Sequence, residues 1–294
     1  MKLSVVILPS ARWEIGRLNW QRAEEWGLHA GYTYDHLSWR TFREKPWFSM
    51  VPTLVAAATV TSRLRIGPLV TSPNFRHPLV LAKDLIALDD ISRGRLIVGV
   101  GAGGTGFDAS VLGQESWSSK QRHERFEEFV RALDQLLREP RSQLNGPHYR
   151  VVDSRQIPGP WQLPRPPLYL SALGPRSLAF TAELAEGWVS LGSPNASEDL
   201  STYDAVKQQV LRLNTELERR GRDVSTIHRV FLNFEGDEKP MASLEAFLDW
   251  AGRYGELGFD EVVVHWPVHD SPFAYDESLF ELIATRGAAT IANW

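Results

Sequence analysis

The chain has 294 residues, 43% of them hydrophobic, a formal net charge of −4 and no cysteine. That length suits one barrel-sized core, and the mild acidity argues against a general nucleic-acid binder or a polybasic membrane partner. Without cysteine there is no disulfide, thiol nucleophile or thiolate metal site. No apolar run approaches the roughly 18 residues that span a bilayer. The apolar run after Lys2 is too short for a signal sequence and reads as a first core strand, so a cytoplasmic protein is expected.

In chain order, the first strand is read at Leu3–Leu8, with Leu18, Ala23 and Gly27 on one face of the helix that follows. A second strand is read at Tyr32–Asp35. Pro52 is taken as the first residue of a helix that turns Leu54, Val55 and Ala58 inward. A third strand spans Leu64–Val70. Pro78 opens a helix with Leu81, Leu85 and Leu88 in one stripe and Gly94 just past its end. A fourth strand is Leu96–Val100. The helix at Arg122–Arg138 repeats Phe126, Phe129, Val130, Leu133, Leu136 and Leu137 at helical spacing. The Pro- and Gly-rich stretch from Pro140 to Pro167 reads as an inserted loop with one short extended piece, His148–Val152. Strands five to eight follow at Leu168–Ser171, Trp188–Leu191, Arg229–Phe234 and Glu261–His265. Helices between them are read at Arg176–Ala185, Tyr203–Arg220 and Leu244–Leu257.

Eight strands alternating with helices predict a parallel sheet, and eight units in this length favour a single closed (β/α)8 TIM-barrel domain over residues 1–294. Most of the eleven tryptophans are expected to fill the layer between barrel and helices.

In such a barrel the site is built where the strands end. After the fourth strand comes Gly101-Ala102-Gly103-Gly104-Thr105-Gly106, which fits G-x-G-x-x-G but lacks the helix start and acidic partner of a dinucleotide fold. It reads either as a cradle of backbone N–H groups for a phosphate or as a flexible turn. After the fifth strand, Ser171 leads to Gly174-Pro175-Arg176 at a helix start, an anion site or an ordinary Pro-initiated helix. After the second strand, Asp35 and His36 form a candidate proton-transfer pair, with Trp39 just beyond. Arg76 and His77, after the third strand, and His265, after the eighth, are candidate substrate or anion contacts. Signatures of other chemistries are missing: there is no G-x-S-x-G, H-E-x-x-H or Walker A run, and the eight histidines show no metal-ligand spacing. Asp35 alone is too few carboxylates for a glycosidase.

The stretch LRIGPLVTSPNFRHPLVLAKDLIALDDISRGRLIVGVGAG, from Leu64 to Gly103, resembles the central signature of the bacterial luciferase-like flavin-dependent oxidoreductases. TYDH at the second strand end, GPHYRV in the inserted stretch and LYLSALGPRSLAFTAELAEGW fit the same family, in order, as far as about Trp188. The resemblance implies a luciferase-like TIM barrel, usually a homodimer, that holds reduced FMN or coenzyme F420. It places the dimer contact on the helices after strands two and three, including Ala56–Ala58. It implies a non-prolyl cis peptide at Leu69–Val70 and puts the cofactor against Leu69, Val70 and Thr71. It places the cofactor phosphate at Gly101, Ala102, Gly103 and Gly104 and at Ser171, Gly174, Pro175 and Arg176. Asp35 and His36 would then stand near the reactive edge, while Trp39, Arg76 and His265 are read as substrate contacts from their places after the strands. The F420-dependent glucose-6-phosphate dehydrogenases carry a catalytic glutamate where this chain has Gly104, and their spacing from the strand-two histidine to the next tryptophan is one residue longer. A sugar phosphate is therefore not the expected substrate. Three functions follow in order of preference: an F420-dependent hydride-transferring oxidoreductase acting on a small molecule, an FMNH2-dependent monooxygenase, and a flavin-binding protein without turnover.

Overall fold

The computed structural model describes residues 1–192, 201–234 and 237–294. Its contacts divide the chain into two compact units. The first comprises residues 1–8, 21–32 and 169–294, and the second residues 9–20 and 33–168.

In the first unit, β1 (Lys2–Val6), β2 (Ala30–Thr33), β7 (Leu168–Ser171), β8 (Gly187–Ser190), β9 (His228–Leu232) and β10 (Glu261–His265) are short and almost wholly buried. β1 runs parallel to β10, with Lys2 opposite Glu261 and Val6 opposite His265, and β8 pairs with β7 and β9. Strands buried on both faces read as continuous apolar runs, which is why they stand out in the sequence. The helices α5 (Pro175–Leu184), α6 (Thr202–Arg219), α7 (Leu244–Glu256), α8 (Glu277–Leu282) and α9 (Ala288–Ile291) belong here. Ser201, Ser243 and Asp276 cap three of them by accepting backbone N–H groups. Tyr254 of α7 stacks on Phe231 of β9 at 3.8 Å, and Trp188 and Trp250 are fully buried beside them.

The second unit holds β3 (Arg65–Pro68) and β4 (Val98–Val100), with α2 (Met50–Val60), α3 (Pro78–Ser92) and α4 (Ser119–Arg138). Parallel bridges join Ile66 to Leu96 and Thr71 to Val100. A Cβ on Gly67 would sit 1.9 Å from the Ile97 carbonyl oxygen, and one on Gly99 2.4 Å from that of Pro68, so glycine sets how closely these strands approach. The strand order β3-β2-β1-β10-β9-β8-β7-β4, with its two end strands bridged to each other, is that of a (β/α)8 barrel.

Several local expectations change. Leu18 is exposed, and Trp20 and Ala23 carry the buried face of α1 (Trp13–Glu25). Pro52 is the third residue of α2 rather than the first, and Val55 is half-buried. The helix at 119–138 begins with a full capping box between Ser118 and Gln121. The stretch read as a loop contains an antiparallel hairpin, β5 (Arg141–Asn145) and β6 (Arg150–Arg155). Its turn is fixed by Glu128 of α4, which accepts N–H bonds from His148 and Tyr149. Arg95 ties α2 to α3 by donating to the carbonyls of Ala58, Thr61, Leu64 and Ser92 and to the Thr61 hydroxyl. Among the described residues no helix is long and apolar enough to cross a membrane.

Candidate active site

Within the second unit the ends of β2, β3 and β4 bring together Tyr34–Trp39, Leu69–Arg76 and Gly101–Asp108. The Leu69–Val70 peptide is cis, as the resemblance implies. Leu69 N–H donates to Thr33 O, Thr71 N–H to Gly99 O and Gly101 N–H to Thr71 O, so the three strand ends are stitched by backbone bonds of 2.8–3.0 Å.

His36 and Asp35 do not form the proton-transfer pair expected from their adjacency. Asp35 is buried and accepts from Thr71 Oγ1 at 2.6 Å and from Arg76 Nε and Nη2 at 3.0 and 2.7 Å. This two-point guanidinium–carboxylate pair occupies Arg76, which is corrected from a substrate contact to the partner of Asp35. Burial lowers the Arg76 pKa, but the hydrogen bond and charge of Asp35 outweigh it and leave a net rise. His77 is likewise corrected: its Nδ1 caps α3 by accepting from Leu79 N–H at 3.2 Å.

The carboxylate that faces His36 is Asp108, in the short turn Phe107–Ala109 after the glycine run. Its Oδ2 is hydrogen-bonded to His36 Nδ1, and its Oδ1 accepts from Leu37 N–H at 2.7 Å and Ser38 N–H at 3.1 Å. One buried carboxylate thus fixes both the imidazole and the turn behind it. With Nδ1 engaged, Nε2 is the ring nitrogen left for proton transfer. The His36 side chain retains 31% exposure while that of Asp108 retains 6%. Trp39 is buried and lies against the His36 ring, with centroids 5.9 Å apart and planes 22° apart, and Trp47 Nε1 donates to the His36 carbonyl at 2.8 Å. Aromatic walls of this kind hold the ring and limit water around it.

The glycine run is pinned from below. Asn74 Nδ2 donates to Gly104 O at 3.1 Å, and Arg125 Nη2 of α4 donates to Asn74 Oδ1 at 2.8 Å. Gly103 has φ 74°, and a Cβ there would lie 2.6–2.8 Å from the Asn74 amide. Gly104 is exposed, and a Cβ on it would meet no neighbour closer than 3.8 Å. Arg125 is buried over the Trp117 ring, and its Nε has no hydrogen-bond partner among the described residues. Burial lowers its pKa, yet an arginine remains charged there. A buried cation with a spare N–H behind an open glycine loop suits an anionic group.

In the first unit, Ser171 is half-buried at the end of β7, and Gly174, Pro175 and Arg176 stand exposed at the start of α5, with Gly174 as its N-cap and Pro175 in its first turn. His265 is not an open contact there. Its ring is fully buried and stacked on Phe273 at 3.7 Å and 8°, and burial pushes its pKa down to about 3. The structure makes it a neutral packing residue.

Asp108, Trp47, Asn74 and Arg125 are the residues that sequence reasoning missed. Asp108 and His36 lie 72 positions apart, so no local spacing links them. The one visible signal for Arg125 is a charge inside the otherwise apolar stripe of α4.

The fold and the strand-end geometry define a luciferase-like TIM barrel. The luciferase-like monooxygenase family model matches residues 19–234, and the chain belongs to that family. It is 28% identical over 275 residues to an F420-dependent glucose-6-phosphate dehydrogenase of Microbacterium testaceum, covering 90% of this chain and 76% of the relative. Its fold is similar to that of the monooxygenase RslO1 from Streptomyces bottropensis, with a TM-score of 0.76 at 22% identity over the whole of both chains. It is also similar to an F420-dependent secondary alcohol dehydrogenase in complex with an F420–acetone adduct, with a TM-score of 0.77 at 16% identity over 90% of this chain and 92% of the other.

Proposed function

We propose that the protein is an F420-dependent oxidoreductase that moves a hydride to or from a small organic substrate, with His36 as its proton carrier. The observation that carries this reading is the His36–Asp108 pair, a partly exposed imidazole oriented by a buried carboxylate at a strand end. The similarity to dehydrogenases named for F420 supports it. When bound, F420 supplies the carbon centre that accepts or donates one hydride. The backbone from Leu69 to Thr71 would back its ring, and Gly101–Gly104, with Arg125 behind, would receive its phosphate. Asp108 holds His36 so that Nε2 takes the hydroxyl proton of an alcohol, or returns it to a carbonyl oxygen. Trp39 and Trp47 keep the ring in place. Gly104 stands where the glucose-6-phosphate dehydrogenases have a glutamate, so the proposed substrate is an alcohol or carbonyl compound other than a sugar phosphate. The start of α5 is proposed separately as an anion-binding position, to be tested with Arg176→Ala.

Anaerobic titration with oxidised F420 and with FMN, followed by a hydride assay over a panel of alcohols, tests the reading. Saturable F420 binding and substrate-dependent loss of its absorbance are expected; no F420 binding overturns it. The second reading, an FMNH2-dependent monooxygenase, is favoured by the family description and the RslO1 likeness. Oxygen consumption with FMNH2 but not with F420H2 would establish it.

A homodimer through α2 and α3 is also proposed. Val80 and Ile91 are 59% and 42% exposed and, with Ala87, line one outward stripe of α3. Ala57 and Ala58 face inward, so of the alanines of α2 only the half-buried Ala56 and the outer Thr59 side remain for contact. A monomer by light scattering refutes this.

A further inference from the structure

A second cluster of chemistry-bearing side chains lies in the first unit, at the starts of its strands rather than their ends. His29 directly precedes β2, His228 opens β9 and Glu261 opens β10. Their ligand-type atoms all lie within 4.8 Å of one another. Glu261 Oε2 is 2.9 Å from His228 Nε2 and 3.9 Å from His29 Nε2. Zinc bonds to imidazole and carboxylate run about 2.0–2.2 Å, which sets tetrahedral ligand atoms roughly 3.3–3.5 Å apart. The two distances bracket that value, so small side-chain rotations complete the geometry.

The surroundings are those of a ligand set. Tyr32 Oη donates to the other carboxylate oxygen, Oε1, at 3.0 Å, leaving Oε2 turned to both imidazoles. Asp260 Oδ2 lies 3.7 Å from His228 Nδ1, on the far side of the ring from Glu261. At that distance it makes no hydrogen bond to the ring and accepts instead from Arg229 N–H at 2.8 Å, but its negative charge favours a cation bound on the Nε2 side. Glu261 is wholly buried, and among the described residues its partners are two imidazoles and two hydroxyls, Tyr32 and Ser4, none a permanent cation. A buried carboxylate without a lasting positive partner is costly. Both histidine side chains keep 20% exposure, which gives an ion a way in.

We propose that His29, His228 and Glu261 form a binding site for a divalent transition-metal ion of the zinc class, which clips the starts of β2, β9 and β10 together. Two imidazoles and one carboxylate leave a further coordination position to water. This site is independent of the proposed redox function and uses none of its residues.

The test uses the full chain, free of any affinity tag, stripped with chelator and titrated with Co2+ alone and then Zn2+ alone. One equivalent of Co2+ per chain with visible d–d absorption, its displacement by Zn2+, and a raised Tm are expected. His29→Asn and His228→Asn are each expected to weaken Co2+ binding more than tenfold. Asp260→Asn, which leaves the three ligands in place and removes only a nearby negative charge, should weaken it less than either histidine variant. Circular dichroism of the metal-free variants checks that each folds. The proposal is overturned if millimolar Co2+ gives no saturable band with the unaltered chain, or if the band survives in both histidine variants.

Discussion

His265 offers a direct test of how the barrel interior treats charge. Its imidazole is fully buried against Phe273, and its pKa falls to about 3 from 6.5. The folded value lies below the unfolded one, so between those two pH values the unfolded chain binds the extra proton. The full stability contribution is therefore present above about pH 6.5 and is lost as pH falls toward 3. Each pH unit in that window removes up to about 1.4 kcal/mol, so lowering the pH from about 6.5 to 4.5 costs about 2–3 kcal/mol from this one ring. The isosteric variant His265→Gln cannot titrate and keeps an amide to bond the Asn233 backbone. Urea unfolding of both proteins at neutral and mildly acid pH, read by fluorescence and far-UV dichroism to check coincidence, gives the comparison. The unaltered protein is expected to be the more acid-sensitive, with the gap between the two free energies shifting by about 2–3 kcal/mol over two pH units. Parallel curves would show that the ring is reached by water or is already protonated when folded, and the reasoning would fail.

Other outcomes follow from the site and its supports. His36→Gln should lower kcat with F420 by about 10²–10⁴-fold while leaving cofactor binding intact, and Asp108→Asn, which loosens the imidazole, should lower it by less; an unchanged kcat in both removes His36 from the mechanism. Gly103→Ala places a Cβ against the Asn74 amide at a positive φ, costing about 1–2 kcal/mol, and F420 affinity measured by titration should fall about tenfold. Arg95→Met strands carbonyls at the end of α2 and should destabilise the chain by about 3 kcal/mol, seen as a Tm lower by several degrees; a melting curve that does not move would mean that water replaces the guanidinium at no cost.

The barrel was legible because each of its strands is buried and apolar, and because Pro78 and Gly94 punctuate α3 where helix chemistry needs them. The β5–β6 hairpin was not, because its residues are largely exposed and polar and carry no clean alternation. The helical segments after Glu277 follow the last strand, where the strand–helix alternation carries no information about them. The proposed proton-transfer pair was half legible. His36 stood out at its strand end, but its neighbour in sequence drew attention as its partner. Asp35 turns to Thr71 and Arg76 while His36 turns to Asp108. Partnerships made by loop packing across 72 positions leave no trace in local spacing. The same holds for His29, His228 and Glu261, which stand at the starts of three different strands.

The three bonds of Asp108 bear on how this enzyme could be re-engineered. Loops after barrel strands are commonly regarded as exchangeable parts, grafted to alter specificity while the scaffold stays constant. Here the segment after β4 carries the side chain that orients an imidazole in the loop after a different strand and also holds the Leu37 and Ser38 amides. A graft that replaces the segment without that carboxylate frees the imidazole and the turn behind it, and so changes the geometry of the neighbouring loop along with its own. The two loops form one inheritable module, and selection on substrate preference in either must carry the other with it.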